Sequence, residues 1–82
     1  MKTLEDTIPY MTSDDYKARM IAEYYQIDIR CKKLKKMLVD REANLLGFDL
    51  TTPVYILEMQ LEAMEKYRNL LLTRMQIEGI AY

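Results

Sequence analysis

The sequence predicts an all-α fold: a two-helix antiparallel hairpin with an N-terminal arm, assembling as a homo-oligomeric helical bundle. Three observations carry that prediction. The 82 residues hold only two glycines and two prolines, and three of these four sit where a helix would start or stop. Apolar residues recur at helical spacing through two long stretches free of breakers. Each stretch is also apolar around more of its circumference than one neighbouring helix can cover.

Residues 1–12 contain Pro9 and show no helical period, so they read as an arm. Thr12 followed by Asp15 fits a capping box, and Ser13 and Asp14 are further N-cap candidates at the same place. A first long helix is expected over about 13–45. Gly47 to Pro53 (GFDLTTP) then makes the turn, with glycine after the helix end, Thr52 as N-cap and Pro53 at the first helical position. A second helix is expected over about 53–78, stopped by Gly79. The two helices would be about 45 and 39 Å long. One domain is the most such a length supports, with the hairpin over 13–82.

At about 100° per residue, Tyr16, Met20, Ile27, Cys31, Leu34, Leu38 and Leu45 share a narrow arc of the first helix, with Tyr24 at its edge. That arc is the expected seam. Ala18, Ile21, Tyr25, Ile29, Val39 and Ala43 form a second stripe, shared with Lys32 and Lys36. In the second helix Val54, Leu57, Leu61, Met64, Leu71, Leu72 and Met75 make one stripe. Ile56, Met59, Ala63, Leu70 and Ile77 make another, bordered by Tyr67 and Arg74. Full burial of a large apolar side chain contributes about 1.5–3 kcal/mol, so leaving the second stripes wet forfeits stability that a small chain lacks. Self-association is the simplest remedy.

Composition excludes several function classes. Histidine is absent and cysteine occurs once, which removes Ser-His-Asp and Cys-His nucleophiles, zinc clusters and internal disulfides. No run of about 18 apolar residues exists and the first residues lack a signal-peptide core, so neither a membrane span nor export is expected. The reading is therefore a non-enzyme without cofactor or metal, acting in the cytoplasm. Twelve basic residues oppose 13 acidic ones. The balance is uneven: residues 30–41 carry six cations against one acid, whereas residues 1–29 carry three against six. Extended nucleic acid would be repelled by the acidic remainder.

The basic run Arg30 to Lys36 (RCKKLKK) is the most conspicuous polar feature. It reads either as a solvated helix face with cations toward a helix C-terminus, or as an anion site. Under the second reading Tyr25, Ile29, Lys32 and Lys36 form one line. A base stacks on Tyr25 or Tyr24, and phosphates are held by Arg30, Lys32, Lys33 and Lys36. Arg68 falls inside the seam stripe, where it either snorkels, pairs with Glu23, or faces a phosphate; Arg74 beside Tyr67 has the same options. The pairs Glu58/Glu62 and Glu62/Glu65 belong to a solvated face opposed by Lys66. Cys31 reads as core. Tyr10 and Tyr82, in the terminal segments, either clasp a neighbouring subunit or do nothing.

DDYKARMIAEYYQ (Asp14 to Gln26), IRCKKLKKMLV (Ile29 to Val39), LEMQLEAMEKY (Leu57 to Tyr67) and RMQIEGI (Arg74 to Ile80) together resemble a family of small proteins encoded by tailed phages of gut bacteria, including crAss-like phages. The resemblance runs from Asp14 onward, leaves the arm uncovered, and implies a phage context without an activity. In architecture and residue type the hairpin is also similar to the helical sponges with which phages sequester cyclic nucleotide signals of CBASS- or Thoeris-type defence. The function expected on that basis is non-catalytic capture of a small cyclic nucleotide between subunits, inside the infected bacterial host. The alternative is an oligomeric interaction module whose second stripes dock on a host or phage protein.

Overall fold

A computed structural model describes residues 1–82. After a 3-10 turn, Glu5–Thr7, come a single helical turn α1 (Ile8–Met11), the long helix α2 (Tyr16–Glu42) and the long helix α3 (Val54–Glu78). The molecule measures 43 × 23 × 17 Å. Its two long helices run antiparallel: Tyr16 at the start of α2 donates its hydroxyl to Glu78 at the end of α3 (2.9 Å), and Asp28 meets Arg68 further along.

The helix ends differ from expectation in register. Asp15 caps α2, its Oδ1 accepting from the Lys17 amide at 3.0 Å. Ser13 Oγ accepts from the Asp15 amide, so the Thr12 capping box does not form and the helix starts at Tyr16 instead of residue 13. At the other end α2 stops at Glu42. The left-handed residue is Asn44 (φ 58°), and the Leu45 amide returns to the Asp40 carbonyl at 2.7 Å. Asparagine tolerates that conformation, so Gly47 is left as an ordinary turn residue. Pro53 stands at the N-cap of α3, one position before its expected place, and Thr52 makes no cap. Gly79 (φ 68°) does close α3 as expected. Through it the Ile80 amide reaches the Met75 carbonyl at 2.8 Å, which turns the Ile80 side chain back into the core.

That core lies toward the open end of the hairpin. Met20, Leu71, Met75 and Ile80 are buried together, with Ile21, Tyr24, Ile27 and Leu72 packed around them. Toward the turn, Leu34, Leu38, Leu57 and Leu61 are only half-buried. Tyr16 and Leu45, expected at the two ends of the seam, are exposed. Only nine of the 82 residues are buried, a thin core for two helices of this length.

The arm is not extended. Its two short turns fold back onto α2, where the Gln26 amide donates to Thr7 Oγ1 (3.0 Å) and to Met11 Sδ (3.1 Å). Thr7 itself is buried and donates to the Leu4 carbonyl at 2.6 Å. Ala22, Gln26 and Ile29 share one line of α2 at spacings of four and three. Ala22 and Ile29 are buried yet stand outside the interhelix cluster, on the line of α2 where Gln26 holds the arm. Ile29 was expected on an outward stripe awaiting another subunit. On α3 no such cover exists: Ile56, Met59, Ala63, Leu70 and Ile77 are all exposed.

Candidate functional site

Around the middle of α2 a line of residues one helical turn apart, Tyr24, Asp28 and Lys32, runs along the flank of the seam. The Tyr24 ring meets Tyr25 edge-to-face with centroids 5.2 Å apart. It meets Tyr82, from the segment beyond α3, at 5.3 Å. Burial, then the nearby Asp28 carboxylate, push the Tyr24 phenol above its ordinary range. It is therefore a neutral aromatic surface at physiological pH, not a base.

Asp28 is the hub of the polar half. It is 9% exposed and takes Lys32 Nζ at 2.8 Å and Arg68 Nη1 at 3.5 Å. The hydrogen bond to Asp28 raises the Lys32 ammonium above its usual value. Arg68 reaches across from α3 and is steadied by Asn69 Oδ1 at 3.4 Å and by Glu65 at 3.9 Å. Its contacts to both carboxylates are long for charge-assisted bonds, which close to about 2.7–2.9 Å when strong. The guanidinium is thus held in place while its bonding capacity is incompletely used.

Four of the eight expected site residues, Tyr24, Tyr25, Lys32 and Arg68, meet here. The others do not. Lys36 turns to Asp40 at 2.6 Å, and Ile29, expected between Tyr25 and Lys32, is buried. The line Tyr25–Ile29–Lys32–Lys36 is replaced by Tyr24–Asp28–Lys32. Arg30 and Lys33 project from the opposite side of α2, exposed and outside every ion pair of the chain. Arg74 lies on the outer face of α3, also exposed. The expected Arg68–Glu23 pair is absent, since Asp28 and Glu65 hold the guanidinium. Asp28 was legible in principle, as an acid four residues before Lys32 on the flank that faces a seam arginine.

Two concavities open elsewhere, at the turn. One of about 780 Å³ is framed by Arg41, Asn44, Phe48, Asp49 and Thr52. A neighbour of about 360 Å³ lies between Lys35, Arg41, Glu42 and Glu58. None of the eight expected residues lines either. Cys31 is buried, and burial pushes its thiol up and away from reactivity. No helix is long and apolar enough to cross a membrane.

Set beside known proteins, residues 14–77 match the family model described as Sequestin. Comparison with curated proteins and with solved structures finds no match.

Proposed function

The chain belongs to the Sequestin family, and from that premise we propose that it is a non-catalytic phage protein that captures a cyclic nucleotide immune signal at the interfaces of a homo-oligomer. The observation that carries the reading is the meeting of three tyrosine rings with Lys32 and Arg68 at one flank of the seam. A nucleobase stacks on the Tyr24/Tyr25 surface, where each stacked base contributes about 1–3 kcal/mol. A phosphodiester takes Arg68 in place of its two long carboxylate contacts, as a planar fork favours. The Arg68, Lys32, Asp28 and Glu65 charges sum to zero within one chain, so a polyanionic ligand needs further cations. Arg30, Lys33 and Arg74, which pair with no carboxylate of their own chain, supply them across a subunit boundary. The family description supports sequestration, and the phage setting rests on the resemblance of the segments from Asp14 onward.

Capture without chemistry has a direct test in the cytoplasm-like conditions of an infected host. The protein is mixed with a cyclic dinucleotide or trinucleotide, the free nucleotide is removed by ultrafiltration, and the retained fraction is heated and chromatographed. Recovery of intact cyclic nucleotide is the expected result. Failure to retain any member of the panel, or recovery of a linear product, contradicts the proposal. The exposed outer face of α3 favours a second reading, a module docking on a host or phage protein, and a stable monomer that retains no nucleotide would shift the weight to it.

A further inference from the structure

Along the outer face of α3, Ile56, Ala63, Leu70 and Ile77 recur at a strict seven-residue interval, and Met59, Lys66 and Thr73 fall three residues after the first three of them. The seven-residue interval is the spacing of a helical seam, apolar here at all four of the first positions and at one of the three second ones, Met59. The strip is fully unpartnered: Ile77 is 79%, Met59 63% and Leu70 58% exposed. Its apolar residues span about 32 Å of the helix, interrupted by Lys66 and Thr73, and nothing else in the chain covers them.

The strip is also complementary to its own reverse. A two-fold axis placed between Lys66 and Tyr67 sets Ile56 opposite the partner's Ile77, Met59 opposite the partner's Arg74, and Ala63 opposite the partner's Leu70. Lys66 then lies opposite the partner's Tyr67. Large side chains thus meet small ones, a methionine lies along an arginine stem, and an ammonium approaches an aromatic ring. A parallel pairing in register instead stacks arginine on arginine at 74 and leaves two alanines facing at 63. We propose that a second copy of this chain covers the outer face of α3, antiparallel and centred between Lys66 and Tyr67. The interface belongs to the self-association that the proposed function requires, but it is fixed by α3 alone and forms without nucleotide.

Sedimentation velocity over a range of protein concentrations, without nucleotide, gives the first test. The wild-type chain is expected to associate, and Leu70→Glu to weaken association roughly 100-fold or more, since each interface loses two buried leucines. Association unaffected by Leu70→Glu overturns the assigned face while leaving a self-associating sponge intact. A wild-type monomer overturns both. The register is tested by oxidising mixed chains carrying either Ala63→Cys or Leu70→Cys. Buried Cys31 does not compete. The mixture is expected to form a 63–70 disulfide and each variant alone to form none, because like positions stand seven residues, about 10 Å, apart in this register, beyond the Cα separation of about 7 Å that a disulfide spans. Cross-linking of each variant to itself indicates parallel pairing and overturns the proposal, as does an associated mixture that yields no cross-link.

Discussion

Replacing Asp28 by asparagine removes one charge from the hub of the site while keeping its shape and one acceptor oxygen. The magnitude follows from what the change leaves behind. Breaking a fully buried ion pair costs about 3–5 kcal/mol, because the surviving charge is stranded without solvent. Arg68 is not stranded to that degree. Its side chain remains 24% exposed, Glu65 stands 3.9 Å away, and Asn69 Oδ1 still accepts from it at 3.4 Å. Lys32 is three-quarters exposed and simply returns to water. The loss therefore reduces to one charge-assisted hydrogen bond of less than ideal length, about 1–2 kcal/mol. For a domain of this size about 1.5 kcal/mol corresponds to a midpoint roughly 6–12 °C lower. Thermal unfolding of wild type and Asp28→Asn, followed by circular dichroism at equal protein concentration, checks it. Lys32→Met should shift the midpoint far less than Asp28→Asn. A midpoint for Asp28→Asn within a degree of wild type, or a larger loss from Lys32→Met, would refute the view that Asp28 acts by holding Arg68.

Thr7→Val keeps the buried volume but removes the hydroxyl that accepts from Gln26 and donates to Leu4, and should cost about 1 kcal/mol in urea unfolding; no change would mean that the arm does not dock in solution. Gly79→Ala forces a Cβ into left-handed geometry, which should cost about 1–2 kcal/mol by the same assay, and a neutral result would show that the Ile80 return does not form. Alkaline pH should weaken the hairpin. Burial raises the Tyr24 phenol above 10.0 and the Cys31 thiol above 9.0, and Asp28 raises the Lys32 ammonium above 10.5. In each case the folded state holds its proton longer than the unfolded chain, so stability is full below these values and declines as pH rises through them. Urea midpoints at pH 8 and 10.5 measure the decline, which Tyr24→Phe should reduce; a flat profile contradicts the burial of Tyr24 and Cys31.

How far the residues announced this structure depended on the length of the pattern. Both stripes of α3 were readable because seven turns of helix repeat the signal. Every seam residue expected there, from Val54 to Met75, is half-buried or buried, and every second-stripe residue is exposed. Gly79 was readable because a glycine after a long periodic run has one usual role. The arm was not, because one turn of 3-10 helix and one of α-helix are shorter than a single hydrophobic period. Its docking depends on Gln26, a polar residue that a wheel assigns to solvent. Asn44 took the place expected of Gly47, since either residue tolerates the left-handed region. At the site, Tyr24, Tyr25, Lys32 and Arg68 came from residue type and spacing. Asp28 was missed because a helical wheel gives directions and not reach. Whether Arg68 bends to Glu23 or Asp28 is settled by how the two helices slide past one another, which no single-helix pattern contains.

Calorimetric titration of the protein with a panel of cyclic dinucleotides and trinucleotides and cyclic ADP-ribose isomers bears most directly on the function. The account predicts saturable binding of at least one member, abolished by Arg68→Met and weakened at least about tenfold by Tyr24→Ala, the loss of one stacked base. A folded, self-associated protein that gives no heat and no displacement across the whole panel would contradict it.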